Sequence, residues 1–153
     1  MQAKTKLPLG IKIIIGFHLF NIILWTIGQG GAVISYDTVA EWGLQAPRNL
    51  IDPVIVELNR GIGLADMISI MPLIIIAVIG LWRMKFYGAV LSWMVFGFTF
   101  YWPVVFWACQ FFFRQAGIKY DPVAAGTDIF LAIIIGTAIW AGWYLFKNRS
   151  LFD

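Results

Sequence analysis

The sequence predicts an all-α integral membrane protein: an antiparallel bundle of four transmembrane helices, with both termini cytoplasmic and a short interfacial helix in the first external loop. Three observations predict it. The 153 residues are 61% hydrophobic and 12% charged, with a mean hydropathy of +0.83, whereas a soluble domain is roughly half apolar and about a quarter charged. Four apolar stretches each reach the ~20 residues that cross ~30 Å of hydrocarbon as a helix. Basic residues gather at one set of helix ends, as they do in cytoplasmic loops. A soluble core of this size could not hide so much apolar side chain, so lipid is the natural solvent. One domain, 1–153, is expected at this length.

The first helix is placed at about 11–28. Lysines precede it and small residues follow, as in a signal peptide, but the segment is read as a retained first helix. The second covers about 53–82. Asp52 is its expected N-cap, and Pro53 takes the first helical position, where its missing N–H costs nothing. At 1.5 Å per residue this helix is ~45 Å long, so its first turns should stand outside the membrane, with Gly61 and Gly63 as bend points. The short "RMKFYG" segment forces a hairpin into the third helix, at about 88–112. The fourth runs over about 122–146, with Asp121 as N-cap and Pro122 as its first residue. Within the long loop between helices one and two, "YDTVAEWGLQAP" reads as a short interfacial helix. Asp37 caps it, Gly43 and Pro47 stop it, and Trp42 and Leu44 dip toward lipid.

The frame I-x-Y-D-x-V-A occurs twice, at Ile34–Ala40 and Ile118–Ala124. A duplicated two-helix unit would put the copies there. The helices at the same offset do not match, since Trp25 meets Cys109 and Asp66 meets Ser150. The simpler account is that Asp37, Asp52 and Asp121 are three helix caps, two of them preceded by interface tyrosines.

Charge sets the orientation. One side carries Lys4, Lys6, Lys12, Arg83, Lys85, Lys147 and Arg149 against Asp153. The other carries Arg48, Arg60, Arg114 and Lys119 against Asp37, Glu41, Asp52, Glu57, Asp66, Asp121 and Asp128. The basic side is read as cytoplasmic in the cell membrane. The net charge of +3 thus reflects topology, and no nucleic-acid partner is expected.

Ionisable groups inside a spanning helix are costly and point to function. Each helix offers one polar or small-residue stripe at i, i+3 and i+4 spacing. These are His18, Asn21, Trp25 and Gln29; Asn59, Gly63, Asp66 and Ser69; Thr99, Pro103, Phe106, Gln110 and Arg114; and Asp128, Ala132 and Gly136. The stripes are biased toward the outer side. They predict an outward-facing cleft holding Asp66 and Asp128, with Arg114 as counter-ion and Arg60 as a second candidate. Gln110, Asn21 and His18 complete the candidate set. The structural alternatives are an Asp66–Arg114 lock, a dipole-favoured acid at Asp128, a snorkelling Arg114 and a neutral, hydrogen-bonded His18. The aromatic-dense run in helix three reads as packing bulk, or as the lining for a flat or acyl ligand.

Little chemistry can be assembled from these groups. One cysteine, Cys109, excludes an intrachain disulfide and thiolate metal sites. One histidine excludes bis-His haem. No phosphate or dinucleotide loop is present. No cofactor and no metal are expected. The two acids remain as a catalytic set, because burial and like charge can separate their pKa values. In this the chain resembles the lipoprotein signal peptidases, small four-helix membrane proteins with two outer-surface aspartates, through "NLID" at Asn49–Asp52 and "LAD" at Leu64–Asp66. That family's V-V-D element and its earlier Asn-x-Gly motif are absent, and the assignment is rejected.

The function expected is binding of a lipid-like or amphipathic small molecule in the cleft, or an accessory role beside a larger membrane complex. The alternatives are an oligomeric ion or proton channel or small transporter, which needs self-association, and an intramembrane enzyme using the two aspartates. Membrane lipids, a hydrophobic small molecule and a second copy of the chain are the partners considered.

Overall fold

The computed structural model describes residues 7–120 and 125–152. Among them the secondary structure is entirely helical, and four helical segments are long and apolar enough to cross a membrane. Lys4, Lys6, Asp121, Pro122 and Asp153 lie outside the described residues.

The first span begins as α1 (Leu9–Trp25) and does not stop at Gly28. It passes through a widened π-turn, Thr26–Gly30, into α2 (Gly31–Ile34). The continuation depends on a close approach. A Cβ on Gly63 of α4 would strike the Gln29 carbonyl, so glycine lets α4 (Pro53–Trp82) pack against the π-turn. The loop accordingly starts at Ser35. It contains α3 (Tyr36–Glu41), then a single 3-10 turn at Arg48–Leu50.

The expected cap at Asp37 is corrected. The N-cap position is Ser35, whose Oγ lies 2.8 Å from Thr38 Oγ1, and Asp37 sits in the first turn, where Arg48 Nε donates to it at 2.8 Å. Gly43 does end the helix. It takes a φ of +73°, and Leu44 N–H bonds the Val39 carbonyl while Gly43 N–H bonds that of Ala40. This left-handed closure favours glycine. A second one at Gly117, φ +65°, ends α5 (Phe86–Gln115), which therefore runs beyond the expected Phe112.

Asp52 caps α4 as expected, accepting from Val54 N–H at 2.9 Å with Pro53 behind it. Asp52→Ala is expected to cost about 1 kcal/mol. It should lower the melting temperature by roughly 2–4 °C, read by circular dichroism in detergent.

Three residues join α4 to α5, and α6 (Ala125–Lys147) follows the second loop. Neighbouring helices run antiparallel in the order α1, α4, α5, α6. Ile11 meets Leu81 and Leu145 in one cluster, Trp93 Nε1 donates to the Gly142 carbonyl, and Gly10 lies against Tyr144. The end holding both termini is densely packed by Ile11, Ile14, Leu81, Ala89, Ala138, Ala141 and Leu145.

The opposite end, reached by the two long connections, carries a separate small core of Ala32, Tyr36, Ile51, Ile55 and Val56. Tyr36 Oη donates to the Ala46 carbonyl at 3.0 Å under the Arg48 guanidinium, 5.0 Å from the ring centre. Burial pushes the Tyr36 phenol above its ordinary pKa, opposed by contact with Asn59 and by Arg48. The two connections are tied together where Asp52 N–H bonds the Lys119 carbonyl.

The α6 stripe is also corrected. Asp128, Ala132 and Gly136 are exposed, and α6 packs inward through Ile134, Ala138, Ala141 and Leu145. Those residues keep helical spacing on the face turned to α1 and α5, so the small-residue stripe is left outward. Ser69 is likewise exposed and bonds the Ala65 carbonyl within its own helix.

Candidate functional site

Tight packing at the termini end gives way, toward the connections, to a cavity of about 450 Å³ among α1, α4, α5, α6 and the first connection. The opening begins where the aliphatic seam ends: among the described side chains, Ile134 is the last buried one of α6 on that side. Polar residues line every wall: Asn21 and Gln29, Gln45, Asn59, Thr99, and Thr127. The remaining surface is mostly apolar and aromatic, with Trp25, Trp102, Phe106, Phe113 and Phe130 prominent. Several polar groups already hold one another. Gln45 Nε2 donates to the Gly28 carbonyl and Asn59 Nδ2 to Gln45 Oε1, each at 3.4 Å. Asn21 Nδ2 donates to the Phe17 carbonyl at 3.0 Å. Pro103 has no N–H to offer the Thr99 carbonyl, and both residues line the cavity.

Asp66 lies one turn beyond the lining residue Ile62. It is buried, with Oδ2 lacking a hydrogen-bond partner. Its side-chain neighbour is Trp102, which also lines the cavity. Neither proposed counter-ion reaches it. Arg60 donates to Glu57 Oε2 at 2.8 Å and to the Val33 carbonyl at 3.3 Å. Arg114 is exposed and forms no ion pair with a described residue.

Arg114, Gln110 and Asp128 instead line a second, open groove of about 520 Å³ between α5 and α6. There Trp107 Nε1 donates to Asp128 Oδ1 at 2.7 Å. Six of the seven candidates thus fall into separate places, with His18 apart from them all. Asn21 lines the cavity, Asp66 lies behind Trp102, Gln110, Arg114 and Asp128 line the groove, and Arg60 belongs to the surface near the first connection.

His18 is fully buried on the diagonal between α1 and α5. Its Nε2 lies 2.9 Å from Ser92 Oγ, and its ring stacks on Phe96 at 5.2 Å. Ser92 has one hydroxyl proton, and its Oγ lies 2.7 Å from the Gly88 carbonyl as donor. The imidazole is therefore assigned as the neutral Nε2–H tautomer, donating to Ser92. Ser92→Ala would strand this buried N–H and should cost roughly 1–3 kcal/mol, whereas the double change His18→Phe with Ser92→Ala should recover most of it. Chemical denaturation of the three variants in detergent reads the difference.

No three His, Cys, Asp or Glu side chains among the described residues are grouped to hold a metal. Sequence reasoning missed Gln45 as a cavity residue, whereas Trp102 and Cys109 fall within the aromatic-dense run of helix three that was read as packing bulk or a ligand lining, without being singled out. The glycines at 28, 30 and 31 signalled the π-turn that brings Gln29 to the wall, since glycine-rich irregular turns often mark close approach. Nothing in the sequence placed Gln45 opposite Asn59. No protein-family model matches this chain, and no curated protein or solved structure is detectably similar to it.

Proposed function

We propose that this is a small multi-pass protein of the cell membrane that binds an amphipathic, lipid-like small molecule in the cavity among α1, α4, α5 and α6. Both termini lie on the cytoplasmic side, the cavity opens on the outer half, and α3 rests at the interface with Trp42 and Leu44 toward lipid. The basic residues Lys12, Arg83, Lys85, Lys147 and Arg149 at the termini end support that orientation.

One observation carries the reading. The cavity holds about 450 Å³, within the ~300–1,000 Å³ of small-molecule sites, and combines apolar walls with a few convergent polar groups. Its amide, hydroxyl and indole groups suit a ligand with one polar end and a flat or acyl body. Conduction has less support, because the termini end is filled by aliphatic side chains and His18 is sealed between Ser92 and Phe96. A two-aspartate enzyme has less support as well, because Asp128 lines the groove while Asp66 lines neither the groove nor the cavity. An accessory role has no feature of its own to carry it.

Cys109 lines the cavity and is the chain's one cysteine, which makes it a reporter. Purified protein is treated with N-ethylmaleimide and read by intact mass, alone and with oleate, cholesterol, a short-chain quinone or lysophosphatidylcholine. At least one probe should slow alkylation several-fold and raise thermal stability. Equal alkylation rates under all four, with no thermal shift, would remove the cavity-binding reading.

A further inference from the structure

The groove between α5 and α6 holds groups that the cavity does not use. Gln110 is 6% exposed, and its Nε2 has no hydrogen-bond partner. A buried amide donor left without a partner is costly, on the order of 1–3 kcal/mol, and because Nε2 is closed to solvent the amide has to turn about its last torsion to meet an acceptor in the groove. Arg114, one turn further along α5, brings a guanidinium with no ion pair to a described residue. These two donors suit an anion, and a planar guanidinium matches a phosphate with two parallel hydrogen bonds.

Across the groove, Asp128 stands in the first turn of α6 and accepts from Trp107 Nε1. A carboxylate has about four lone-pair sites, and this bond uses one. Arg114 and Asp128 share the groove without forming an ion pair. A site with separated positive and negative groups fits a ligand carrying both charges. The apolar surroundings point to where its body lies: Phe111 and Phe112 of α5 and Ile129 and Ile133 of α6 are all more than half exposed.

We propose that this groove binds the headgroup of a zwitterionic phospholipid. The phosphate is held by Gln110 and Arg114, the ammonium by Asp128, and the acyl chains lie along the exposed faces of α5 and α6. No residue lines both this groove and the cavity, so the two sites fail or stand separately.

The test uses the full chain in detergent, with phosphatidylethanolamine, phosphatidylglycerol or soluble phosphoethanolamine added and binding read by native mass spectrometry. Wild type should prefer phosphatidylethanolamine to phosphatidylglycerol. Arg114→Gln should weaken both lipids roughly tenfold or more, the consequence of losing a charge-assisted hydrogen bond. Asp128→Asn should erase the preference while keeping phosphatidylglycerol binding. Both side chains are exposed, and an unchanged melting temperature without lipid checks each fold. Saturable binding of soluble phosphoethanolamine at matching concentrations would show the source to be a free headgroup, and the lipid assignment would fall. Equal wild-type affinity for the two lipids, or a preference untouched by both substitutions, would overturn the site.

Discussion

Gly88→Val is expected to collapse the α4–α5 hairpin, by about 3 kcal/mol or more at the upper end of core overpacking. A Cβ on Gly88 would run into the backbone of Gly80 and Leu81, and a Cβ on Gly80 would meet Gly88 in return. The clash cannot be relieved by turning a side chain, because the opposing atoms are main chain. The backbones cannot easily separate either. Lys85 N–H bonds the Gly80 carbonyl at 2.9 Å, Met84 N–H bonds that of Leu81 at 3.1 Å, and Gly88 N–H bonds that of Lys85 at 2.9 Å. Only the residues Arg83, Met84 and Lys85 separate the helices, so any shift propagates into both. Ser92, which accepts from His18, stands one turn beyond Gly88 on the same face. A drop of roughly 6–12 °C in melting temperature follows for a chain of this size, or failure to accumulate in the membrane. Gly97→Ala is the control. A Cβ there meets nothing, and alanine in an open helical position should stabilise by about 0.5–1 kcal/mol. If Gly88→Val melted like wild type, the close backbone approach would be wrong.

What was legible in the sequence follows the physics of lipid as solvent. The four spans could be read because twenty apolar residues in a row have few other uses. Asp52 could be read because Asp-Pro offers both a side-chain acceptor and a residue needing no N–H. Helix faces were harder. In α6, inward Ile134 and Ala138 and outward Ile133 and Gly136 differ little in polarity, so the period that reveals a soluble helix's core face is nearly silent. Asp128 was the conspicuous polar residue and drew the inferred face toward itself, whereas interior packing went to the aliphatic and alanine positions. The pairing of Asp66 was out of reach for a related reason. Spacing within one helix does not give its register against the next: the hairpin that brings Gly80 to Gly88 sets Asp66 beside Trp102, and Arg114 stands twelve residues, ~18 Å, further along α5 at the α5–α6 groove. The cap was placed two residues late, because Ser35 and Asp37 are both good caps in sequence, and only Arg48, reaching back to Asp37, separates their roles.

The problem of helix faces also supplies the sharpest test of the cavity, at Gly28. This residue is buried, lines the cavity, and has nothing within reach of an added Cβ. A side chain placed there must therefore grow into the void. Gly28→Phe is expected to fold, because its Cβ meets no protein atom and the ring enters the cavity, gaining dispersion contacts with Trp25 or Trp102, so the melting temperature should hold or rise slightly. Ligand response should change sharply. The ring occupies a large share of the space, so any probe that protects Cys109 in wild type should no longer alter its alkylation or the thermal midpoint. Alkylation itself should slow, since the thiol lies on the same cavity wall system. Gly97→Phe carries the same change to an exposed position on α5 outside the cavity, and should leave both readouts as in wild type. Loss of ligand response only in Gly28→Phe locates binding in the cavity. Equal loss in both variants would trace it to general detergent or lipid effects. Retention in Gly28→Phe would put the bound molecule elsewhere on the protein, with the α5–α6 groove and its Arg114–Asp128 pair the next place to look.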